Sequence, residues 1–372
     1  MTESDTRFLV LIPPHGGQQI VEGSSRFVHG GDRYRAIADS VLSTYGEVDH
    51  LAWEPDAPLE ELTRSLDARL PGSRAMVMAP WLHAHPLPTF DAARFDRAPE
   101  LRVVAGTFDY RLDWIDLDMA TRRGVSVVDT SRTMTWTVAE FAVGITLALL
   151  RDIPASIDLV RRGGWLDGPI HSDTHVDRDL ADCVIGLAGY GSINRHYRRL
   201  VGPFGCPVAV FDPFIDDDHA VAENVTRAPS LVRLANQSDV LVVAIPPTPA
   251  TIGVVNAEVI DALVPGSLFV LVSRMAVVEQ EALWRRVRTG ELRAAVDVFE
   301  PEPPPADAWF RTAAKVLPTP HIAGNTRFAH ERCFREACID AVRVIRGGTP
   351  EHATASSMWV VLEKPTSTVE TF

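Results

Sequence analysis

Short apolar runs alternate with segments of helical periodicity along the first third of the chain. Runs of four to six mainly apolar residues suit buried strands, and apolar residues recur every three or four positions between them. The predicted strands are 8–12, 48–53, 75–78, 101–105 and 125–128, and the predicted helices include 33–45, 59–70 and 116–123. Strands that alternate with helices favour a parallel sheet covered on both faces. Residues up to about Thr130 are therefore predicted to form one α/β unit.

The stretch 182–213 has the pattern of a strand, a tight turn, a helix and a second strand. Gly189 permits the sharp turn, and Gly191 lets the backbone approach a pyrophosphate that faces the positive end of the helix. Asp212 lies 23 residues after Gly189, near the spacing of the acid that binds an adenosine ribose 2′-hydroxyl. This pattern predicts a dinucleotide-binding unit, and the carboxylate favours NAD over NADP. The alternative is an ordinary turn between a strand and a helix.

One position departs from this glycine fingerprint. Asn194 stands where a third glycine would let the helix pack closely on the strand. We expect its side chain to push the helix outward or to rotate toward solvent.

The strand and helix alternation continues after Asp212. Strands are predicted at 240–245, 268–272 and 294–298, and helices at 257–263, 279–288 and 326–346. The last of these helices is expected to pack on the first unit. The segment 137–150 is apolar on nearly all sides, so it should be buried between domains or between subunits, and it contains Glu140 and is short for a bilayer span.

Composition narrows the range of functions. The 372 residues carry a net charge of −13, which repels phosphate backbones and makes nucleic acid an unlikely general partner. The four cysteines show no CxxC spacing, which argues for reduced thiols and against a zinc site. The start of the chain lacks the pattern of a signal peptide. We expect a cytoplasmic protein with no metal and no membrane association.

Polar residues follow several of the later predicted strands, at the edge of a parallel sheet where ligands bind. Arg274 follows one strand, Asp297 and then Glu302 follow the next, and His321 stands in the sequence TPHIAGNT. Each alone is typical of an ordinary structural residue: a strand-end ion pair, a solvated acid or a turn histidine.

Five segments in order resemble the signatures of the D-isomer-specific 2-hydroxyacid dehydrogenase family. They are VIGLAGYGSI, FDP, SRMAVVEQEAL, AAVDVFEPEP and TPHIAGNT, and TVAEFAVGITLALLRDI resembles the interdomain, dimer-forming helix of that family. The resemblance implies an NAD-dependent oxidoreductase that transfers a hydride between NAD(H) and a 2-oxoacid or D-2-hydroxyacid. It also implies a homodimer.

The resemblance assigns roles to individual residues. Arg274 matches the arginine that binds the substrate carboxylate. His321 matches the general acid and base, and Glu302 matches the carboxylate that keeps the imidazole protonated. Asp297 matches the aspartate near the nicotinamide carboxamide. Other cofactor positions are matched by Gly189, Gly191, Ser192, Ile193, Asp212, Pro246 and Val272, and Gly106 and Thr107 match the loop that holds the substrate carboxylate.

The implied fold is α/β, with two Rossmann-like or flavodoxin-like domains built on parallel sheets. An NAD-binding domain at 131–318 is expected to be inserted into a substrate domain made of 1–130 and 319–372, with the active site in the cleft between them. The small-molecule substrate is a 2-oxoacid or 2-hydroxyacid whose identity the sequence leaves open.

Several positions differ from the usual family pattern. Met275 replaces the glycine after Arg274, which predicts a more constrained backbone and a narrower pocket. Arg111 could contact a second anionic group of the substrate or face solvent, and Trp81, His83 and Trp136 could line the pocket or pack elsewhere. The rival functions are an NAD-sensing regulatory protein of the corepressor type and a phosphite or formate dehydrogenase. Glu302 counts against formate, because that branch typically has glutamine there.

Overall fold

The computed structural model describes residues 6–14, 19–20, 27–28, 30–54, 57–80, 82, 87–108, 112–165 and 179–354. These residues form two compact units. One continues to Met134 and resumes at Asn325, and the other runs from Thr135 to Gly324. The sequence-based boundaries, after residues 130 and 318, lie four and six residues before these points.

The first unit is built on a five-stranded parallel sheet. Its elements are β1 (Arg7–Ile12), β2 (Gln19–Ile20), β3 (Phe27–Val28), α1 (Gly31–Leu42), β4 (Glu47–Ala52), α2 (Leu59–Arg69), β5 (Ala75–Met78), α3 (Ala92–Arg97), β6 (Val103–Gly106), α4 (Leu117–Arg122) and β7 (Ser126–Asp129). The strand order is β4-β1-β5-β6-β7, while β2 and β3 form a separate antiparallel pair. All residues of β5 and β6 are buried, as expected for strands covered on both faces.

The second unit contains a larger parallel sheet. Its elements are α5 (Thr135–Leu150), α6 (Ile153–Arg161), β8 (Ile185–Ala188), α7 (Ser192–Val201), β9 (Val208–Phe211), α8 (Asp217–Ala222), β10 (Thr226–Arg227), α9 (Leu231–Asn236), β11 (Val240–Val243), α10 (Ala257–Ala262), β12 (Leu268–Leu271), α11 (Gln280–Arg288), β13 (Arg293–Val296) and β14 (Val316–Pro318). The strand order is β10-β9-β8-β11-β12-β13-β14. The chain leaves β8 toward β9 on one side and later returns to β11 on the other. This reversal creates a crevice at the carboxyl ends of the strands.

The last helix, α12 (Arg327–Ile345), belongs to the first unit. Its buried face includes Phe334, Ala337 and Cys338, which join the hydrophobic core around β1, β5 and β6. The ring of Phe334 meets Tyr34 of α1 edge-on at 5.1 Å. The prediction that this helix packs on the first unit is confirmed.

Helix α5 is buried on one face within its own unit. That face packs on the sheet through Ala139, Ala142 and Leu149, while Trp136 and Glu140 on other faces are exposed in the single chain, and their burial between domains or between subunits stays a prediction. With the preceding 3-10 turn it forms a 21-residue helical stretch, Thr130–Leu150, long and apolar enough to span a membrane. The expectation that it is too short is wrong. Such a helix is also typical of a globular core, which is the role its packing indicates.

Candidate functional site

The turn after β8 has the geometry that a dinucleotide needs. Gly189 has a φ of 78°, and a Cβ there would lie 3.1 Å from Cγ1 of Ile245, so glycine is required by both conformation and space. A Cβ at Gly191 would meet no atom within 4 Å, which leaves open space beside the turn. No side chain caps α7, so the amides of its first turn, from Ser192 and Ile193 onward, can bind an anion. These features fit a pyrophosphate.

Asn194 is fully buried, which excludes one of the two expected outcomes, that its side chain rotates toward solvent. Its Nδ2 donates hydrogen bonds to the carbonyl oxygens of Gly189 at 2.6 Å and Ala188 at 3.2 Å. The side chain therefore ties the first turn of α7 to the end of β8. It holds helix and strand together by hydrogen bonds where a glycine would do so by close packing.

Asp212 follows β9 and reaches the glycine turn. Its Oδ2 accepts a hydrogen bond from the backbone amide of Tyr190 at 2.7 Å, and its Oδ1 accepts one from Phe214 at 2.9 Å. A carboxylate has acceptor positions for about four hydrogen bonds, so capacity remains for a ribose hydroxyl. The two other residues predicted to line the cofactor also follow strands: Pro246 is exposed after β11, and Val272 is largely buried after β12.

His321 and Glu302 form a direct pair. The Nδ1 atom of His321 lies 3.0 Å from Oε1 and 2.9 Å from Oε2 of Glu302. Within the described part of the chain, the other ring nitrogen, Nε2, makes no hydrogen bond. The side chains are 24% and 36% exposed, so the pair is accessible from outside the unit. One ring nitrogen is thus oriented by a carboxylate while the other is available for proton transfer.

The charge balance at Glu302 also involves Arg274. Burial alone would raise the pKa of the Glu302 carboxyl, but the hydrogen bond to His321 and the positive charges of His321 and Arg274 outweigh it, so the pKa is lowered. Arg274 is half-buried, and its Nη1 donates to the carbonyl of Ser273 at 2.7 Å. The structure therefore pairs the predicted carboxylate with the imidazole and places Arg274 near enough for its charge to act on Glu302.

Met275 does not shape an open site. Its side chain is 3% exposed and belongs to the hydrophobic core of the second unit, at the start of a short 3-10 turn. The expectation of a pocket narrowed by Met275 is wrong, because the backbone after Arg274 turns this side chain inward.

Asp297 lies beneath the loop that carries His321. Its carboxylate accepts hydrogen bonds from the Thr319 hydroxyl at 2.6 Å and from the amides of Ile322 at 3.0 Å and Ala323 at 2.8 Å. Burial raises the pKa of Asp297, and these donors partly oppose that effect. Sequence reasoning placed Asp297 near the nicotinamide and missed these contacts, because they depend on the path of the loop.

The loop that carries Glu302 is anchored by residues that the sequence did not single out. Arg311 donates from Nε to the carbonyl of Pro305 at 2.8 Å and from Nη2 to that of Pro304 at 2.7 Å. The ring of Phe310 stacks on Trp284 at 5.1 Å, which joins this loop to α11. These contacts restrict the position of the carboxylate.

The residues predicted to hold the substrate carboxylate belong to the first unit and lie at the end of β6, where Gly106 is the last residue of the strand and Thr107 follows it. A Cβ on Gly106 would lie 2.7 Å from the ring of Phe108, which is buried, so this position favours glycine. Thr107 is buried, and its hydroxyl is 2.9 Å from that of Thr130. Asp129 accepts the amide hydrogen of Phe108 at 3.0 Å. Thr107 and Phe108 are thus held in place by side chains that follow β7.

Some of the other candidate residues cannot be placed. Trp81, His83 and Arg111 lie outside the described residues. Trp136 is 38% exposed, and its Nε1 donates to Glu140 at 2.7 Å. Within the described ranges, no group of three or more His, Cys, Asp or Glu residues could hold a metal ion, and all four cysteines are free.

Comparisons with known proteins agree with this geometry. Residues 143–323 match the family described as D-isomer specific 2-hydroxyacid dehydrogenase, NAD binding domain. A hydroxyphenylpyruvate reductase from Plectranthus scutellarioides is 35% identical over 63% of this chain and 72% of its own length. A D-3-phosphoglycerate dehydrogenase from Mycobacterium bovis is 28% identical over 84% of this chain, which spans 56% of that relative.

A solved structure gives the same result for the fold. The D-lactate dehydrogenase of Treponema pallidum superposes with a TM-score of 0.71 at 21% identity, and the match covers 94% of this chain and all of that one. The prediction of an α/β protein with two parallel sheets is confirmed.

Proposed function

The chain belongs to the D-isomer-specific 2-hydroxyacid dehydrogenase family and is an NAD-dependent oxidoreductase, and we propose that it reduces a 2-oxoacid through Arg274, Glu302 and His321. The observation that carries this proposal is the hydrogen-bonded pair of His321 and Glu302 beside the charge of Arg274. It lies at the end of the sheet that also carries the glycine turn.

Bound NADH supplies the hydride that reduces C2 of the oxoacid. The guanidinium of Arg274 binds the substrate carboxylate and polarises the 2-oxo group, a task suited to its planar fork of donors. His321 donates the proton on Nε2 to the oxygen that was the carbonyl, and the negative charge of Glu302 stabilises the imidazolium beforehand. In the oxidative direction the neutral imidazole takes the proton back.

The glycine turn and Asp212 support the binding of NAD. Gly191 leaves room for the pyrophosphate, and the first turn of α7 supplies amides for it. Asp212 can accept hydrogen bonds from the ribose hydroxyls and repels a 2′-phosphate, so NAD is preferred over NADP. Ser192, Ile193, Pro246 and Val272 are proposed to line the same site.

We further propose that the unit containing Gly106 and Thr107 binds the substrate carboxylate at the end of β6. The bonds that fix Thr107 to Thr130 and Phe108 to Asp129 support this role, because a site fixed in advance binds an anion at less entropic cost.

A cytoplasmic homodimer is also part of the proposal. On α6 the side chains of Ile153, Ile157 and Val160 are exposed at helical spacing, and they form an apolar stripe that association would cover.

The decisive experiment is a panel of 2-oxoacids, including hydroxypyruvate, glyoxylate, pyruvate and arylpyruvates, assayed with NADH and with NADPH. We expect turnover of at least one oxoacid with NADH. Arg274→Lys should raise the KM for that oxoacid, because an ammonium group cannot make the two parallel hydrogen bonds that a guanidinium makes to a carboxylate. Absence of turnover with every oxoacid, combined with tight NADH binding, would favour a sensing role. Oxidation of phosphite or formate in its place would assign a different substrate class.

A further inference from the structure

We propose that Asn194 is a positioning residue for the dinucleotide, which fixes the glycine turn and, through that turn, the carboxylate of Asp212. This inference rests on the proposed cofactor site at the glycine turn. It gives Asn194 an effect on the affinity for NADH in addition to its effect on the packing of α7 against β8.

The side chain of Asn194 is surrounded by backbone carbonyl oxygens. Its Nδ2 lies 2.6 Å from the oxygen of Gly189, 3.2 Å from that of Ala188 and 3.5 Å from that of Val242. Only the amide nitrogen can face three acceptors, so these neighbours determine the orientation of the group. Asn194 is 0% exposed, and its Oδ1 accepts no hydrogen bond from the residues that the structure describes. The side chain therefore acts as a donor that joins the first turn of α7 to β8 and β11.

The peptide group between Gly189 and Tyr190 is bonded at both of its ends. Its carbonyl accepts the hydrogen bond from Asn194, and its amide donates to Oδ2 of Asp212 at 2.7 Å. A peptide group is planar and rigid, so a rotation that broke one of these bonds would disrupt the other. Asn194 therefore fixes the donor that orients the carboxylate proposed to bind the adenosine ribose.

The next peptide group is bonded to α7 in the same way. Nε of Arg195 donates to the carbonyl of Tyr190 at 3.0 Å. Two successive carbonyl oxygens of the turn thus accept from side chains of α7, which keeps them from facing a pyrophosphate that they would repel. A turn fixed before the cofactor arrives binds it more tightly, because no ordering is left to be done on binding.

The test is Asn194→Ala, with the Kd for NADH measured by fluorescence titration and the Kd for ADP-ribose measured by calorimetry. Both ligands contain the pyrophosphate and the adenosine ribose, so each Kd should rise by about ten- to thirtyfold. At saturating NADH, kcat should stay within about threefold of the wild type, because the substitution leaves Arg274 and His321 unchanged.

Tyr197→Phe is the matched control for stability. Tyr197 is a fully buried residue of the same helix, and its hydroxyl donates to that of Thr146 at 3.1 Å. The variant loses a buried hydrogen bond of α7 that does not involve the glycine turn. The free energy of unfolding should therefore fall while both Kd values stay within about twofold of the wild type. A merely structural role of Asn194 would give the same result as this control.

A double-mutant cycle tests whether Asn194 acts through Asp212. The factor by which Asp212→Ala raises the Kd for NADH should be at least about threefold smaller in the Asn194→Ala protein than in the wild type, because the peptide that orients the carboxylate is already released. If Asn194→Ala does not fold, Asn194→Ser takes its place. A hydroxyl can donate to only one carbonyl, so the Kd for NADH should then rise by about three- to tenfold.

The outcomes separate this inference from the proposed function. If the wild type binds both ligands and the substitution of Asn194 weakens neither, the positioning role is wrong and the cofactor site stands. If the effects of Asn194→Ala and Asp212→Ala on the Kd multiply, the link through the shared peptide is overturned. If the wild type binds neither NADH nor ADP-ribose, the proposed cofactor site itself fails.

Discussion

Replacing Glu302 with glutamine tests how the carboxylate supports proton transfer. Glutamine keeps an oxygen that can accept a hydrogen bond from Nδ1 of His321, but it loses the negative charge. The geometry of the ring should therefore survive, and the stabilisation of the imidazolium should not. Nδ1 of His321 lies 2.9–3.0 Å from the two carboxylate oxygens of Glu302. The variant therefore tests the effect of the negative charge separately from that of the hydrogen bond.

The size of the effect follows from the exposure of the pair. A hydrogen bond between charged groups contributes about 1.5–3 kcal/mol when sheltered from water. The Glu302 side chain is 36% exposed, so solvent screening reduces this to about 1–1.5 kcal/mol. Since 1.36 kcal/mol corresponds to a factor of ten in rate, kcat/KM for reduction should fall by about fivefold to tenfold.

The assay is kcat/KM for oxoacid reduction, with the Kd for NADH and the free energy of unfolding measured on the same preparation. Glu302→Gln should lose activity because the imidazole that donates the proton lacks the neighbouring negative charge, while the other two quantities stay near those of the wild type. This pattern distinguishes an electrostatic effect from general damage to the site.

The matched control is Glu300→Gln, which removes an exposed carboxylate two residues earlier in the same loop. Its kcat/KM should equal that of the wild type. A Glu302→Gln variant with wild-type kcat/KM, or one that loses NADH binding and stability together with activity, would refute the assignment of Glu302 as the partner that stabilises the imidazolium.

Three further predictions concern other parts of the chain. Asp212→Ala should reduce the preference for NADH over NADPH by about tenfold or more, measured as the ratio of kcat/KM, and a wild type that prefers NADPH would contradict the assignment. Asn194→Ala should lower the free energy of unfolding by about 1–3 kcal/mol in urea titrations, because it leaves the Gly189 carbonyl without its donor. Burial of Asp340 acts to raise its pKa, but the amides of Glu351 and His352 and the side chain of Arg343 lower it overall. Its contribution to stability is therefore present above about pH 4 and lost as pH falls through the lowered value, so the difference in stability between wild type and Asp340→Asn should shrink below that pH and stay constant above it.

The sequence predicts the sheets well, because a strand buried on both faces is nearly continuous in apolar residues. The segment 75–78 was predicted with the bounds that the structure has, Ala75–Met78. Short elements at the margin were missed: β10 is only two exposed residues, and α6 carries its apolar residues on an exposed face. β10 and α6 depend on local turns and on packing at the surface, and the periodicity of apolar residues does not indicate either.

Candidate residues could be predicted where a motif fixes their spacing, and their contacts could not. The pairing of His321 with Glu302 agrees with the resemblance. The hydrogen bonds of the Asn194 side chain and the burial of Met275 could not be predicted, because each depends on a backbone path set by neighbouring strands. For the same reason the sequence did not show that Asp297 accepts hydrogen bonds from the loop of His321. No sequence pattern indicates that the backbone of His321 has a positive φ.

His321→Ala tests whether His321 carries the proton in the NAD-dependent reduction. Turnover of the best oxoacid and the Kd for NADH should be measured on the same preparation. We expect kcat to fall by about two to four orders of magnitude while the Kd stays within about threefold. Turnover at the wild-type rate would contradict it.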